Sequence, residues 1–179
     1  MFMIRVLVSL FEFVLAVVMS GGVIYATYRV FIKANPDFDM QAEIKKGNIA
    51  VGLLVSTILI CASVFVEKGM ASVVHMFRLY ISMPAQAPIS GWQLVLIGLG
   101  HLAISLLLAV LTISLTLRLF GRLTAEMQEG KELEKGNLAV GLLLSSVVIV
   151  ATFYVSGGVS ALSKALVPQP SIGRIEIQK

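Results

Sequence analysis

Four stretches of the chain are apolar at nearly every position, not at alternate or every third or fourth position: 6–31, 49–66, 90–117 and 138–162. A helix needs about 20 such residues to cross the ~30 Å hydrocarbon core of a bilayer. Each stretch is too continuous for the alternating pattern of a membrane barrel strand. Between Lys46 and Glu67, and again between Lys135 and Lys164, there is no charged residue. Ser90 is a good N-cap for the third stretch and follows Pro88, while Trp92 falls where an interfacial aromatic belongs. The pattern predicts an all-α integral membrane protein with four transmembrane helices.

The segments between the spans differ in kind. Segments 32–48 and 118–136 are short, charged and of mixed sign. Segment 67–88 is amphipathic. Val73, Val74, Phe77, Tyr80 and Ile81 share one side of a helix, with His75, Arg78 and Ser82 on the other. This predicts a short helix lying on the membrane surface. The expected organisation is a first membrane hairpin over 1–66, a connecting segment over 67–91, a second hairpin over 92–163 and a flexible tail over 164–179.

Composition agrees with the pattern. Of 179 residues, 58% are hydrophobic and 13% charged, where soluble domains carry about 25% charged residues. The net charge of +4 comes from basic residues at the ends of apolar runs, where lipid headgroups account for them, so nucleic acid is not an expected partner. The single cysteine, Cys61, excludes an internal disulfide and a cysteine metal cluster. The two charged connections hold eight Lys and Arg residues against six on the other side. The positive-inside rule therefore puts the connections in the cytoplasm and both termini outside.

The chain also repeats itself. Glu43-Ile-Lys-Lys-Gly-Asn48-Ile-Ala-Val-Gly-Leu-Leu54 returns 89 residues later as Glu132-Leu-Glu-Lys-Gly-Asn137-Leu-Ala-Val-Gly-Leu-Leu143, and 14 of 30 positions over 43–72 and 132–161 are identical without a gap. The same offset pairs Thr27 with Thr116, Arg29 with Arg118 and Phe31 with Phe120. A duplicated two-span hairpin returns the chain to its starting side. The two hairpins should share one orientation and be related by a pseudo-two-fold axis along the membrane normal, unlike inverted-repeat transporters. Lipid gives apolar helices no hydrophobic reason to associate, so small residues must let backbones approach. Gly52 and Ser56 on span two, with Gly141 and Ser145 on span four, are the expected packing residues, and these two spans should meet at the axis. Asn48 and Asn137 should cap their helices or bond a neighbouring span; the sharper alternative is a ligand or ion contact at the axis.

This doubled Glu-x-x-x-Gly-Asn-x-Ala-Val-Gly pattern resembles the YjfL-like family of small bacterial inner-membrane proteins. The resemblance implies a multi-pass inner-membrane protein of unknown function and brings no catalytic residues with it.

Two ionisable residues lie inside apolar runs. Glu12 stands seventeen residues before Arg29 and His101 seventeen before Arg118, so they are repeat equivalents. The intervening helix covers about 25 Å, putting both past the middle of the membrane. Ionisable groups there cost roughly 2.5–3.5 kcal/mol and tend to be paired or functional. An acid and an imidazole could share a proton across the pseudo-axis; alternatively Glu12 reaches the interface and His101 stays neutral, bonded to Ser105.

No Gly-rich phosphate loop, H-E-x-x-H or G-x-S-x-G occurs. The expectation is a protein that is not an enzyme and uses no catalytic residue, metal or cofactor. It is expected to be a small assembly or regulatory component acting through partners: the bilayer itself, other copies of the chain or other membrane proteins. The alternative is a small oligomeric ion or solute channel or transporter with Glu12 and His101 as polar lining.

Overall fold

The computed structural model describes residues 2–33, 38–82 and 90–165. Asp37, Pro88 and the expected tail beyond 165 lie outside the described residues. Six α-helices follow in chain order: α1 Phe2–Thr27, α2 Met40–Lys45, α3 Ile49–Ser82, α4 Gly91–Leu123, α5 Glu129–Glu134 and α6 Leu138–Ala165. A π-helical segment, Tyr28–Lys33, continues α1, and a 3-10 turn, Ala125–Met127, precedes α5. Among them four are long and apolar enough to cross a membrane: α1 with its π segment, α3, α4 and α6.

α3 is the hub, with α1, α4 and α6 all packed on it and α4 also against α6. Burial follows that order. In the most apolar window of α3, 56% of residues are buried, against 33% in α6, 28% in α4 and 6% in α1. The main core is built on the α3 positions Val51, Leu54, Ile58, Ala62 and Phe65. A smaller cluster forms where Val73 and Met76 of α3 meet Leu102 of α4, with Phe11 and Leu15 of α1 against it.

Residues 67–82, expected as a separate surface helix, continue α3 without a break. The amphipathic spacing is present, but its apolar side is used differently. Val73, Val74 and Met76 are buried between helices, and Phe77 stacks on Phe11 of α1 with ring centroids 4.0 Å apart. His75, Arg78 and Ser82 stay exposed. Thirty-four residues make α3 about 51 Å long, well beyond the ~30 Å core, so its last turns rise through the headgroup region or the helix tilts. Glu67 and Lys68, which suggested a span end, form an ion pair at 2.9 Å on the flank of the continuing helix.

Glycine decides the two closest helix crossings. A Cβ on Gly69 of α3 would lie 2.8 Å from Ser105 Cβ of α4 and collide with Ser105 Oγ. A Cβ on Gly141 of α6 would lie 2.9 Å from the carbonyl oxygen of Ala50 and 3.0 Å from its Cα. Spans two and four thus meet as expected, with Gly141 and Ser145 buried, but Gly52 and Ser56 are not at the contact. A Cβ on Gly52 would meet nothing within 4 Å, and Ser56 is exposed and bonds back to Gly52 O at 2.8 Å. A two-fold axis would repeat Gly141 against Ala50 as Gly52 against Ala139; Ala139 is instead exposed.

Gly69→Ala should destabilise the protein by about 1–3 kcal/mol through overpacking, read as a lower melting temperature in detergent. Adding Ser105→Gly should restore most of the loss. An unchanged melting temperature for Gly69→Ala would mean α3 and α4 do not cross this closely.

Candidate functional site

The repeated sequence folds into the same piece of structure twice. α2 ends with Lys46 as its C-cap and Gly47 in the left-handed region at φ +83. Gly47 N donates to Ile44 O and Asn48 N to Glu43 O, both at 3.0 Å. This is a Schellman turn, and it needs a residue without a Cβ penalty at Gly47. α5 ends identically: Gly136 has φ +80, its N donates to Leu133 O at 2.9 Å, and Asn137 N donates to Glu132 O at 3.0 Å. The asparagine then starts the next helix. Asn48 Oδ1 accepts from Val51 N at 3.2 Å, and Asn137 Oδ1 from Ala139 N at 3.2 Å. Both are therefore N-caps.

The acid of each copy closes the turn. Glu43 bonds Lys46 at 2.6 Å and Asn48 Nδ2 at 3.1 Å; Glu132 bonds Lys135 at 2.7 Å and Asn137 Nδ2 at 2.9 Å. Lys46 and then Asn48 hold the Glu43 carboxyl below its ordinary 4.5, while Asn137 and then Lys135 hold Glu132 below it. Glu43 raises the Lys46 ammonium above 10.5 in return.

The copies differ in what they touch. Asn48 Nδ2 also donates across the repeat, to Leu133 O at 2.8 Å and Glu134 O at 3.3 Å. Asn137 Nδ2 makes no such bond among the described residues. The two connections therefore meet at one end of the bundle, tied by Asn48. Beside them opens a cleft of about 490 Å³ with Leu54, Leu117 and Leu144 as an apolar floor and Arg118, Glu129 and Lys131 at its mouth.

The structure does not join Glu12 to His101. Glu12 is exposed on the outer side of α1, and it makes no hydrogen bond or ion pair among the described residues. His101 is 3% exposed at the α3–α4 crossing. Its Nδ1 donates to Ile97 O at 2.9 Å, which fixes the proton on that nitrogen. Ser105 is nearby, as expected, but its hydroxyl donates to the His101 backbone carbonyl at 2.8 Å, not to the ring. At the same end of the molecule as Glu12, Arg5 of α1 and Arg78 of α3 border an open cleft with Ser9 and Ser82. Arg78 belongs to the polar face expected of segment 67–88, and nothing in the sequence pattern pairs it with Arg5.

Four apolar helices with paired charged connections at one end mark a multi-pass membrane protein. Residues 3–159 match the family described as Domain of Unknown Function (DUF350), and the chain belongs to that family. No curated protein and no solved structure matches the chain.

In detergent that keeps single chains, Asn48→Ala should cost about 2 kcal/mol, because a cap and a cross-repeat hydrogen bond are both lost, and Asn137→Ala about 1 kcal/mol for the cap alone. Equal losses by thermal unfolding would show that the cross-repeat bond contributes nothing.

The lowered carboxyls also set an acid limb. A carboxylate held low contributes stability above its unfolded value near 4.5 and loses it as pH falls through the lower folded value. The raised Lys46 contributes below 10.5 and loses its share only above that, outside the neutral range. The melting temperature should hold from neutral pH to about pH 5 and fall at lower pH. Glu43→Gln with Glu132→Gln should flatten that fall; an unchanged acid limb would place its origin elsewhere.

Proposed function

We propose that the protein is a non-catalytic component of the bacterial inner membrane that works by lateral association with other membrane-embedded chains. In this reading the two hairpins share one orientation, with the charged connections in the cytoplasm and the termini outside. The meeting of the two connections at one end supports the shared orientation. The basic excess on those connections supports the side.

The face of α1 carries the argument. Only 6% of its most apolar window is buried within the chain, and Glu12 projects from the uncovered side. Where tilt of α3 keeps this level inside the hydrocarbon, a helix that touched lipid alone would gain nothing from an acid there and would bear its insertion cost. A protein neighbour that covers the face and hydrogen-bonds the carboxyl removes the cost. On α4, Ser105 Oγ and His101 Nδ1 both donate to backbone carbonyls of their own helix, which favours association over a conducting path. The charged connections are bonded internally, which suits a rigid edge more than a reacting centre.

A photoreactive residue at Phe13, which is 67% exposed beside Glu12, should give a protein adduct when irradiated in intact membranes. Adducts with lipid alone would overturn lateral association through α1.

A further inference from the structure

The one-sided contact between the repeats says more than that the two-fold is imperfect. In the chain, one surface of the first hairpin receives a different surface of the second. Such a contact is heterologous, and it leaves one copy of each surface open. The 89-residue offset allows each open surface to be found.

On the receiving side of the first hairpin, Ala50 is fully buried under Gly141, and Asn48 bonds Leu133 O. Their equivalents on the second hairpin differ: Ala139 is exposed, and Asn137, half-buried like Asn48, has no cross-repeat bond among the described residues. On the donating side of the second hairpin, Leu133 is 3% exposed and Gly141 is closely covered. Their equivalents on the first, Ile44 and Gly52, are respectively 38% exposed and open within 4 Å.

The first helix of each hairpin tells the same story independently. On α4, Leu102, Ala109 and Ile113 are 7%, 0% and 1% exposed. Their equivalents on α1 are Phe13, Ser20 and Ile24; Phe13 is 67% exposed, Ile24 is 59% exposed, and Ser20 is exposed too. α4 crosses α3 at Gly69, where no Cβ fits. The equivalent on α6 is Gly158, also glycine, also exposed, with nothing within 4 Å of its Cβ position. Duplication has left an unfilled glycine crossing on α6 and an unfilled matching face on α1.

We propose that these two open surfaces dock on each other between copies of the chain, repeating head to tail the contact made once inside it. α1 of one copy crosses α6 of the next at Gly158, and Gly52 of that first copy lies against Ala139 of the next. Asn137 of the next copy then donates to Ile44 O of the first, as Asn48 donates to Leu133 O within a chain. Each copy supplies two hairpins, and the series closes into a ring in the membrane plane, which leaves no open surface. Glu12, the equivalent of buried His101, enters the interface instead of facing lipid. The occupant is a second copy because the open surfaces are equivalents of two that already fit each other. This names the partner for the lateral association proposed above and rests on that reading.

The test uses the full chain in membranes, in a Cys61→Ala background, with two populations carrying different tags. One has Phe13→Cys and the other Leu162→Cys, the equivalents of Leu102 and Val73, at positions 67% and 44% exposed. Val73→Cys with Leu102→Cys in one chain, the equivalent pair inside the smaller core cluster, calibrates the geometry with an internal disulfide. The expected result is a disulfide at twice the chain's mass only when the two populations are mixed by co-expression. A disulfide from Phe13→Cys alone would mean α1 pairs with itself about a two-fold axis and overturns the proposal, as does the absence of any disulfide while the internal pair forms. Gly158→Leu should abolish the oligomer by native mass spectrometry while leaving the monomer's melting temperature unchanged; an intact oligomer overturns the proposal. The two readings fail separately. Photo-adducts at Phe13 with an unrelated protein, without intermolecular disulfides, sink the head-to-tail ring and keep lateral association. Adducts with lipid alone sink both.

Discussion

Close approach of backbones to α3 is the constraint on which this structure rests. Lipid tails are as apolar as leucine, so burying one more leucine between two membrane helices gains little from leaving the surroundings. What remains is contact between surfaces that fit, and dispersion attraction falls off steeply with a gap of even half an ångström. Gly69 and Gly141 remove the side chain at the two crossings, letting Ser105 of α4 and Ala50 of α3 come to van der Waals distance of a neighbouring backbone. The buried positions of α3, from Ala50 to Met76, follow from having three helices within that reach. α1, with no such glycine crossing of its own in the chain, is the least covered span.

The charged connections act on a different scale. A transmembrane helix fixed only by packing can slide or rotate. The Schellman turn at Gly47 or Gly136 followed at once by an Asn cap fixes where one helix ends and the next begins, to the residue. The side chain of Glu43 or Glu132 then holds the lysine and the asparagine together. Six sequence positions specify a complete corner, which explains why Lys, Gly and Asn repeat as faithfully as the apolar residues around them. The Asn48 bond to Leu133 O joins the two corners and sets the level of one hairpin against the other.

Much of this was legible beforehand, and the misses have physical causes. Span number and position followed from apolar length alone, and Asn48 and Asn137 as caps followed from their place after Lys-Gly. The length of α3 did not. Glu67 and Lys68 looked like a membrane boundary because charge usually ends a span, yet neighbouring opposite charges on one helix flank can pair and leave the helix intact. Gly52 and Gly141 are identical in local sequence, as are Asn48 and Asn137. Only tertiary contacts distinguish them, so no reading of one strip of sequence could have assigned the packing role to Gly141 and not Gly52.

The same limit explains Glu12 and His101. Equal offset from Arg29 and Arg118 makes them equivalents in sequence, which leaves open whether the two side chains meet. The two residues occupy matching places on two units that face different neighbours. His101 looks into α3, because the second hairpin has the first beside it; Glu12 looks outward, because the first hairpin has nothing on that side of its own chain. An imidazole tolerates burial when one nitrogen donates to Ile97 O. A carboxylate at the corresponding place would need a donor, and Glu12 has no hydrogen-bond partner among the described residues. The divergence of His and Glu at one repeat position follows two environments, one buried against α3 and one exposed, and it marks the side of the molecule where the chain's own packing stops.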